Sequence, residues 1–203
     1  MQNTPLQSSL PIAVLLTLVP LTSALAHTGA GVASGLQSGF LHPITGFDHL
    51  VAMVAVGLWG VQLRNPAIWV LPITFPLVMA MGGLLGVSGV PLPLSEPVVA
   101  LSGIALGLLI ALYVRLPLVV AMLVVGVFAV FHGYAHGREL PEAADPTAYA
   151  VGFVVATGLL HLCGIVIGLL IMWPIGARAV RACGAAIGCV GAYFLLASLG
   201  VLQ

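Results

Sequence analysis

Six apolar stretches of membrane length follow one another along this chain, at approximately 44–63, 67–88, 97–114, 117–136, 148–173 and 179–200. Each is about as long as a helix must be to cross a bilayer core. Proline and glycine punctuate the joints, as at Asn65-Pro66, Pro91-Leu92-Pro93, Pro117, Pro141 and Pro174. Hydrophobic residues make up 61% of the sequence and charged residues 5%, too little polar cover for a water-facing surface. The expected fold is therefore all-α, a polytopic membrane protein with six transmembrane helices after an N-terminal signal peptide.

The leader is read from the apolar run Leu10 to Leu25 and the Ala24-Leu25-Ala26 pattern that signal peptidase accepts. Residues 1–26 are the expected signal peptide and 27–203 a single six-helix transmembrane domain, the alternative being an uncleaved first helix. Cleavage after Ala26 would leave His27 as the mature N-terminus, whose amine and ring nitrogen can chelate one metal ion together. The Gly-, Ser- and Ala-rich stretch from His27 to Phe40 reads as a flexible surface segment.

Arginine sets the expected orientation. Arg64, Arg115, Arg178 and Arg181 lie at the first, third and fifth joints and Arg138 alone at an even one, which makes the odd joints cytoplasmic and puts the mature N-terminus outside the inner membrane. Glu96, Glu139, Glu142 and Asp145 then collect on the outer face, where they can draw in cations. Lysine is absent and the net charge is zero, so a nucleic-acid partner has no electrostatic footprint. Cys163, Cys183 and Cys189 form no CxxC motif and read as small packing residues.

Two constellations break the apolar pattern. His42-Pro43-Ile44-Thr45-Gly46-Phe47-Asp48-His49 opens the first segment. On one continuous helix His42 and His49 return to within roughly 20° of each other, and Met53 continues that stripe. Asp48 points elsewhere. It becomes a direct ligand only if Pro43 and Gly46 distort the turn, and otherwise orients a histidine by accepting the ring N–H turned away from the metal. The second constellation, Phe131-His132-Gly133-Tyr134-Ala135-His136-Gly137-Arg138-Glu139, closes the fourth segment. His132, His136 and Glu139 stand at i, i+4 and i+7, the spacing by which one helix face offers two imidazoles to a metal. Opposite running directions bring both clusters into the outer half of the bilayer. His161, deeper on the fifth segment, suits a relay ligand or a buried hydrogen-bonding residue.

At these residues the sequence resembles the HupE/UreJ family of nickel and cobalt permeases. The pattern His-Pro-x-x-Gly-x-Asp-His, with Ala-Met and Val-Gly after it, matches His42, Pro43, Gly46, Asp48, His49, Ala52, Met53, Val56 and Gly57. Phe-His-Gly-x-Ala-His-Gly-x-Glu matches Phe131, His132, Gly133, Ala135, His136, Gly137 and Glu139. Histidines resembling His161 and His27 belong to the same pattern. The resemblance implies uptake of Ni²⁺, or Co²⁺, for a metalloenzyme such as hydrogenase or urease.

The expected partners are a divalent metal ion as cargo and the lipid bilayer, with no resident cofactor. Imidazole ligands favour a late first-row ion over Mg²⁺ or Ca²⁺. Two other classes use the same residues: an intramembrane zinc-dependent hydrolase, and a membrane metal sensor or chaperone that does not transport. Against the hydrolase, there is no HExxH helix, and Gly86-Val87-Ser88-Gly89 falls at a segment end. No phosphate-binding GxxxxGK[ST] loop occurs either. Small-xxx-small spacings at Gly164/Gly168 and Gly184/Gly188 suit either an internal helix contact or a homo-oligomer interface. Trp59, Trp69 and Trp173, near segment ends, are expected as interfacial anchors.

Overall fold

The computed structural model describes residues 32–141 and 144–202. The expected signal peptide, its cleavage site, His27 and Glu142 lie outside the described residues. The fold is all-helical. Its elements are α1 (Val32–Thr45), α2 (Phe47–Leu63), α3 (Ala67–Val87), α4 (Ser95–Ala111), α5 (Leu118–Arg138), α6 (Pro146–Gly168) continued by a 3₁₀ turn at Leu169–Met172, and α7 (Pro174–Ser198).

Six helices, α2 to α7, fall where six apolar segments were expected. Four of them, α3, α5, α6 with its 3₁₀ turn, and α7, are long and apolar enough alone to cross a membrane. The α1–α2 pair, bent by 80°, makes a fifth if it counts as one broken span, and α4 is a shorter apolar helix.

The helices pack chiefly as three close pairs, α3 with α5, α4 with α7 and α2 with α6. Glycine permits each approach. A Cβ on Gly133 would collide with the Met79 carbonyl, and one on Gly57 with the carbonyl of His161. Gly107 meets the backbone of Gly184 and Gly188, and Gly164 that of Val54, so these small faces serve internal contacts. Without a hydrophobic driving force in lipid, such backbone proximity is what holds helices together.

Helix α2 is the axis of the bundle, with residues Val51–Val61 almost all buried. Its position corrects the reading of Trp59, which is not an interfacial anchor. The indole is fully buried, and its Nε1–H donates to the Val114 carbonyl at 3.2 Å. Trp69 and Trp173 remain exposed at 57% and 59%, as anchors should be. The cysteines are free and exposed on the outside of the bundle, so they do not serve internal packing.

The stretch expected to be flexible is, from Val32 onward, a helix. Its small residues form a docking face: Gly35 and Gly39, four apart, lie against the backbone of Asp145 and Tyr149, and Gly152 of α6 lies against Leu36 and Phe40. A composition that reads as loop in isolation becomes an interface once a neighbour supplies the packing. α6 itself starts with Pro146 behind Asp145, whose side chain accepts the Ala148 N–H at 2.7 Å. Asp145, one of the acids expected to draw in cations, is thus a helix cap.

Candidate metal centre

His42 and His49 do not share one helix face. The chain breaks at Gly46, which has extended backbone angles and caps α2, and the 80° bend puts His42 on α1 and His49 on α2. Glycine fits here because a Cβ at Gly46 would lie 3.3 Å from His49 Nδ1 and 3.5 Å from Asp48 Oδ1. The bend brings the two histidines together around a third. His42 packs edge-on to His136 of α5, with ring centroids 4.7 Å apart, and His49 lies 4.5 Å from the same ring. His132, one turn deeper on α5, stands 5.1 Å from His49. Four imidazoles thus run in a line from the bundle end inward: His42, His136, His49, His132.

At the outer end of this line Glu139 accepts a hydrogen bond from His42 Nε2 at 2.8 Å and approaches His136 Nδ1 at 4.0 Å. His42, His136 and Glu139 can each present one ligand atom, all within 4.8 Å of one another. The hydrogen bond from His42 holds the Glu139 carboxyl below the usual glutamate range, against the opposing effect of partial burial.

Deeper in, hydrogen bonding fixes which ring nitrogens are free. His132 Nδ1 lies 2.9 Å from the Phe128 carbonyl, which can only accept, so Nδ1 carries the proton and Nε2 is a bare lone pair. Asp48 accepts from both the backbone N–H and Nδ1 of His49, at 2.9 and 2.8 Å. That turns His49 Nε2 outward as a base in the same way. Among the described residues, His49 Nε2, His132 Nε2 and both nitrogens of His136 are buried without a hydrogen-bond partner. Leaving a buried polar atom unsatisfied costs about 1–3 kcal/mol, so a run of such atoms calls for a partner, whether bound water or an ion.

A cavity of about 580 Å³ opens at this end, lined by His42, Thr45, Gly46, Asp48, His49, Glu96 and Glu139 with residues of α4 and α7. Three carboxylates, Asp48, Glu96 and Glu139, therefore face one aqueous mouth. The site can attract a cation electrostatically and offer it neutral nitrogen donors below.

The remaining expected residues lie deeper. Met53 follows His49 by one turn and is fully buried in the apolar core. His161, on α6, is 1% exposed, with neither ring nitrogen in a hydrogen bond. Three aromatic walls were not singled out from sequence. Phe153 lies 4.1 Å from His136, Tyr149 lies 6.1 Å from His42, and Phe75 lies 5.3 Å from His132 and 5.4 Å from His161. The available signal was Phe75 sitting between Pro72 and Pro76, the prolines inside α3.

The family model described as HupE / UreJ protein matches residues 14–194, which contain both histidine motifs. Protein HupE of Rhizobium leguminosarum bv. viciae is 43% identical over 174 residues, 85% of this chain and 91% of that protein. No solved structure matches the chain.

Proposed function

Because the chain belongs to the HupE/UreJ family, we propose that it carries Ni²⁺, or Co²⁺, inward across the inner membrane to supply a metalloenzyme such as hydrogenase or urease. The family is one of permeases, so the chain is a membrane transporter and not an enzyme. The observation that carries the finer reading is the set of buried, unpartnered imidazole nitrogens of His49, His132 and His136 beneath a carboxylate-lined mouth.

The path has stages. Glu96 and Glu139, with His27 as the mature N-terminus after the leader is cleaved, concentrate the ion at the mouth. His42 and Glu139 meet it at the rim. His136, His49 and His132 replace its waters, with Asp48 holding the His49 ring. Met53 offers a soft thioether one turn below, and His161 receives the ion deeper in. Imidazole donors suit Ni²⁺ and its neighbours, whereas hard cations want oxygen-only shells. Binding at each stage stays weak enough to release.

In this reading α2 to α7 are six crossings with the cavity end outside. The four long apolar helices support it. α4, with 17 residues, reaches about 26 Å at 1.5 Å per residue, close to the roughly 30 Å of the hydrocarbon core. The arginine distribution supports the orientation. A membrane potential of about 100 mV, negative inside, supplies about 4.6 kcal/mol for a divalent ion. That drives uptake on the order of a thousandfold uphill.

Uptake of ⁶³Ni²⁺ by cells expressing wild type, His49→Ala and His132→Ala, with Co²⁺, Zn²⁺ and Cu²⁺ as competitors, tests this function. Wild-type uptake abolished by both substitutions at equal membrane abundance is the expected result. Wild-type cells that accumulate no more nickel than empty-vector cells would sink it.

A further inference from the structure

Among the described residues, the unpartnered buried polar groups include two sets that one side chain touches in common. The outer set is the imidazole line ending at His132. The inner set is on α6: His161 and Thr157, one turn apart, are 1% and 0% exposed, and neither His161 nitrogen nor Thr157 Oγ1 has a hydrogen-bond partner. Phe75 is fully buried and touches both sets edge-on, with ring centroids 5.3 Å from His132 and 5.4 Å from His161. The ring therefore makes an edge contact of nearly the same length with each imidazole.

The backbone under Phe75 is unlike that of the other helices. Pro72 and Pro76 bracket it within α3. Pro76 has no N–H to give the Pro72 carbonyl, and Pro72 has none for Ile68, so the ladder lacks two rungs one turn apart on this stretch. A helix weakened at this point can shift or rotate its side chain at lower cost than a regular one.

We propose that Phe75 is the gate of the transport path, an apolar plug separating the outer imidazole site from an inner stopping site for the ion formed by His161 and Thr157. The proposal rests on the transport reading above. A hydrophobic ring closes the path by excluding water. A hydrated ion cannot pass it, and an ion stripped by the outer imidazoles passes only when the ring swings aside and His161 takes over as donor. The inner pair supplies an imidazole nitrogen and a hydroxyl oxygen, fewer and weaker donors than the outer line, which favours release onward.

The test is ⁶³Ni²⁺ uptake into proteoliposomes under an imposed inside-negative potential, for wild type, Phe75→Ala, Phe75→Leu and Phe75→Trp. ⁶³Ni²⁺ binding to the same preparations in detergent is measured in parallel. Loss of the ring in Phe75→Ala is expected to raise uptake about tenfold and to let Mg²⁺ through, while Phe75→Trp lowers uptake about tenfold, as for a dewetted constriction opened or overfilled. Nickel binding stays at the wild-type level in both. Phe75→Leu, which keeps most of the volume without the flat ring, carries the same sign as Phe75→Ala should the latter not fold. Uptake unchanged in all variants, or lowered equally in all of them with Mg²⁺ still excluded, overturns the gate and leaves transport standing. Wild-type liposomes that take up no more nickel than protein-free ones overturn the transport reading itself, and the gate with it.

Discussion

The two ends of the imidazole line differ in how their polar atoms are satisfied. At the rim, His42 and Glu139 have side chains 30% and 54% exposed and are hydrogen-bonded to each other. Three residues away along α5, His136 is 4% exposed and has no hydrogen-bond partner, and His132 is fully buried with a bare Nε2. The first region is open and charged; the second is buried and lacks hydrogen-bond partners. In the proposed transport, a cation is gathered by the carboxylates, where long-range attraction acts, and bound by the lone pairs, where desolvation has already been met by the fold. Proposed capture and coordination are thus divided between residues a few ångströms apart.

Removing the inner nitrogens should have the largest effect. His132→Ala or His49→Ala is expected to lower nickel uptake at least about a hundredfold, since each deletes a donor that nothing nearby can replace. Uptake assays at matched membrane abundance check this. Asp48→Asn keeps the His49 ring but replaces the acceptor that fixes its tautomer, and should weaken nickel affinity about 10–100-fold. A variant binding as tightly as wild type would mean that Asp48 is not what sets the ring.

Rim substitutions should do less. Glu139→Gln is expected to raise the half-saturating nickel concentration about threefold while leaving the maximal rate near wild type, because it reduces attraction without removing an imidazole. Glu96→Gln, exposed on the same cavity, should act in the same direction by about twofold, and the difference from wild type should shrink as salt is raised. A fall in maximal rate for either would move it from capture to coordination.

The smallest effect concerns acid. Glu139 is held below the ordinary glutamate value of 4.5 by its hydrogen bond from His42. The stability this contact contributes is therefore present above that value and lost as the pH falls through the lowered one. The exposed position of the pair keeps the contribution small. Thermal midpoints of wild type and Glu139→Gln should differ slightly at neutral pH and converge in acid.

Much of this arrangement was legible in sequence. The candidates of the second motif lie where their i, i+4, i+7 spacing put them, because α5 carries both histidines and Glu139 caps its end. The first motif was read on the wrong geometry. A continuous helix would align His42 with His49, but Gly46 interrupts it, and the meeting of these residues depends on α1 docking against α6. That docking uses Gly35, Gly39 and Gly152, residues whose lack of a side chain hides an interface from any hydrophobic pattern. Trp59 was misplaced for a related reason: nearness to a segment end says nothing about which helix occupies the axis. Phe75 escaped notice because an aromatic in an apolar run is ordinary until its neighbours are known.

The account's central claim is that imidazole nitrogens of the inner line, and not the rim carboxylates, hold the ion. Nickel K-edge X-ray absorption on purified wild-type protein loaded with one equivalent of Ni²⁺ tests it most directly. The account predicts the outer-shell scattering of at least two imidazole rings, diminished in both His49→Ala and His132→Ala and retained in Glu139→Gln. A spectrum of oxygen ligands alone, or one unchanged by the histidine substitutions, would contradict it.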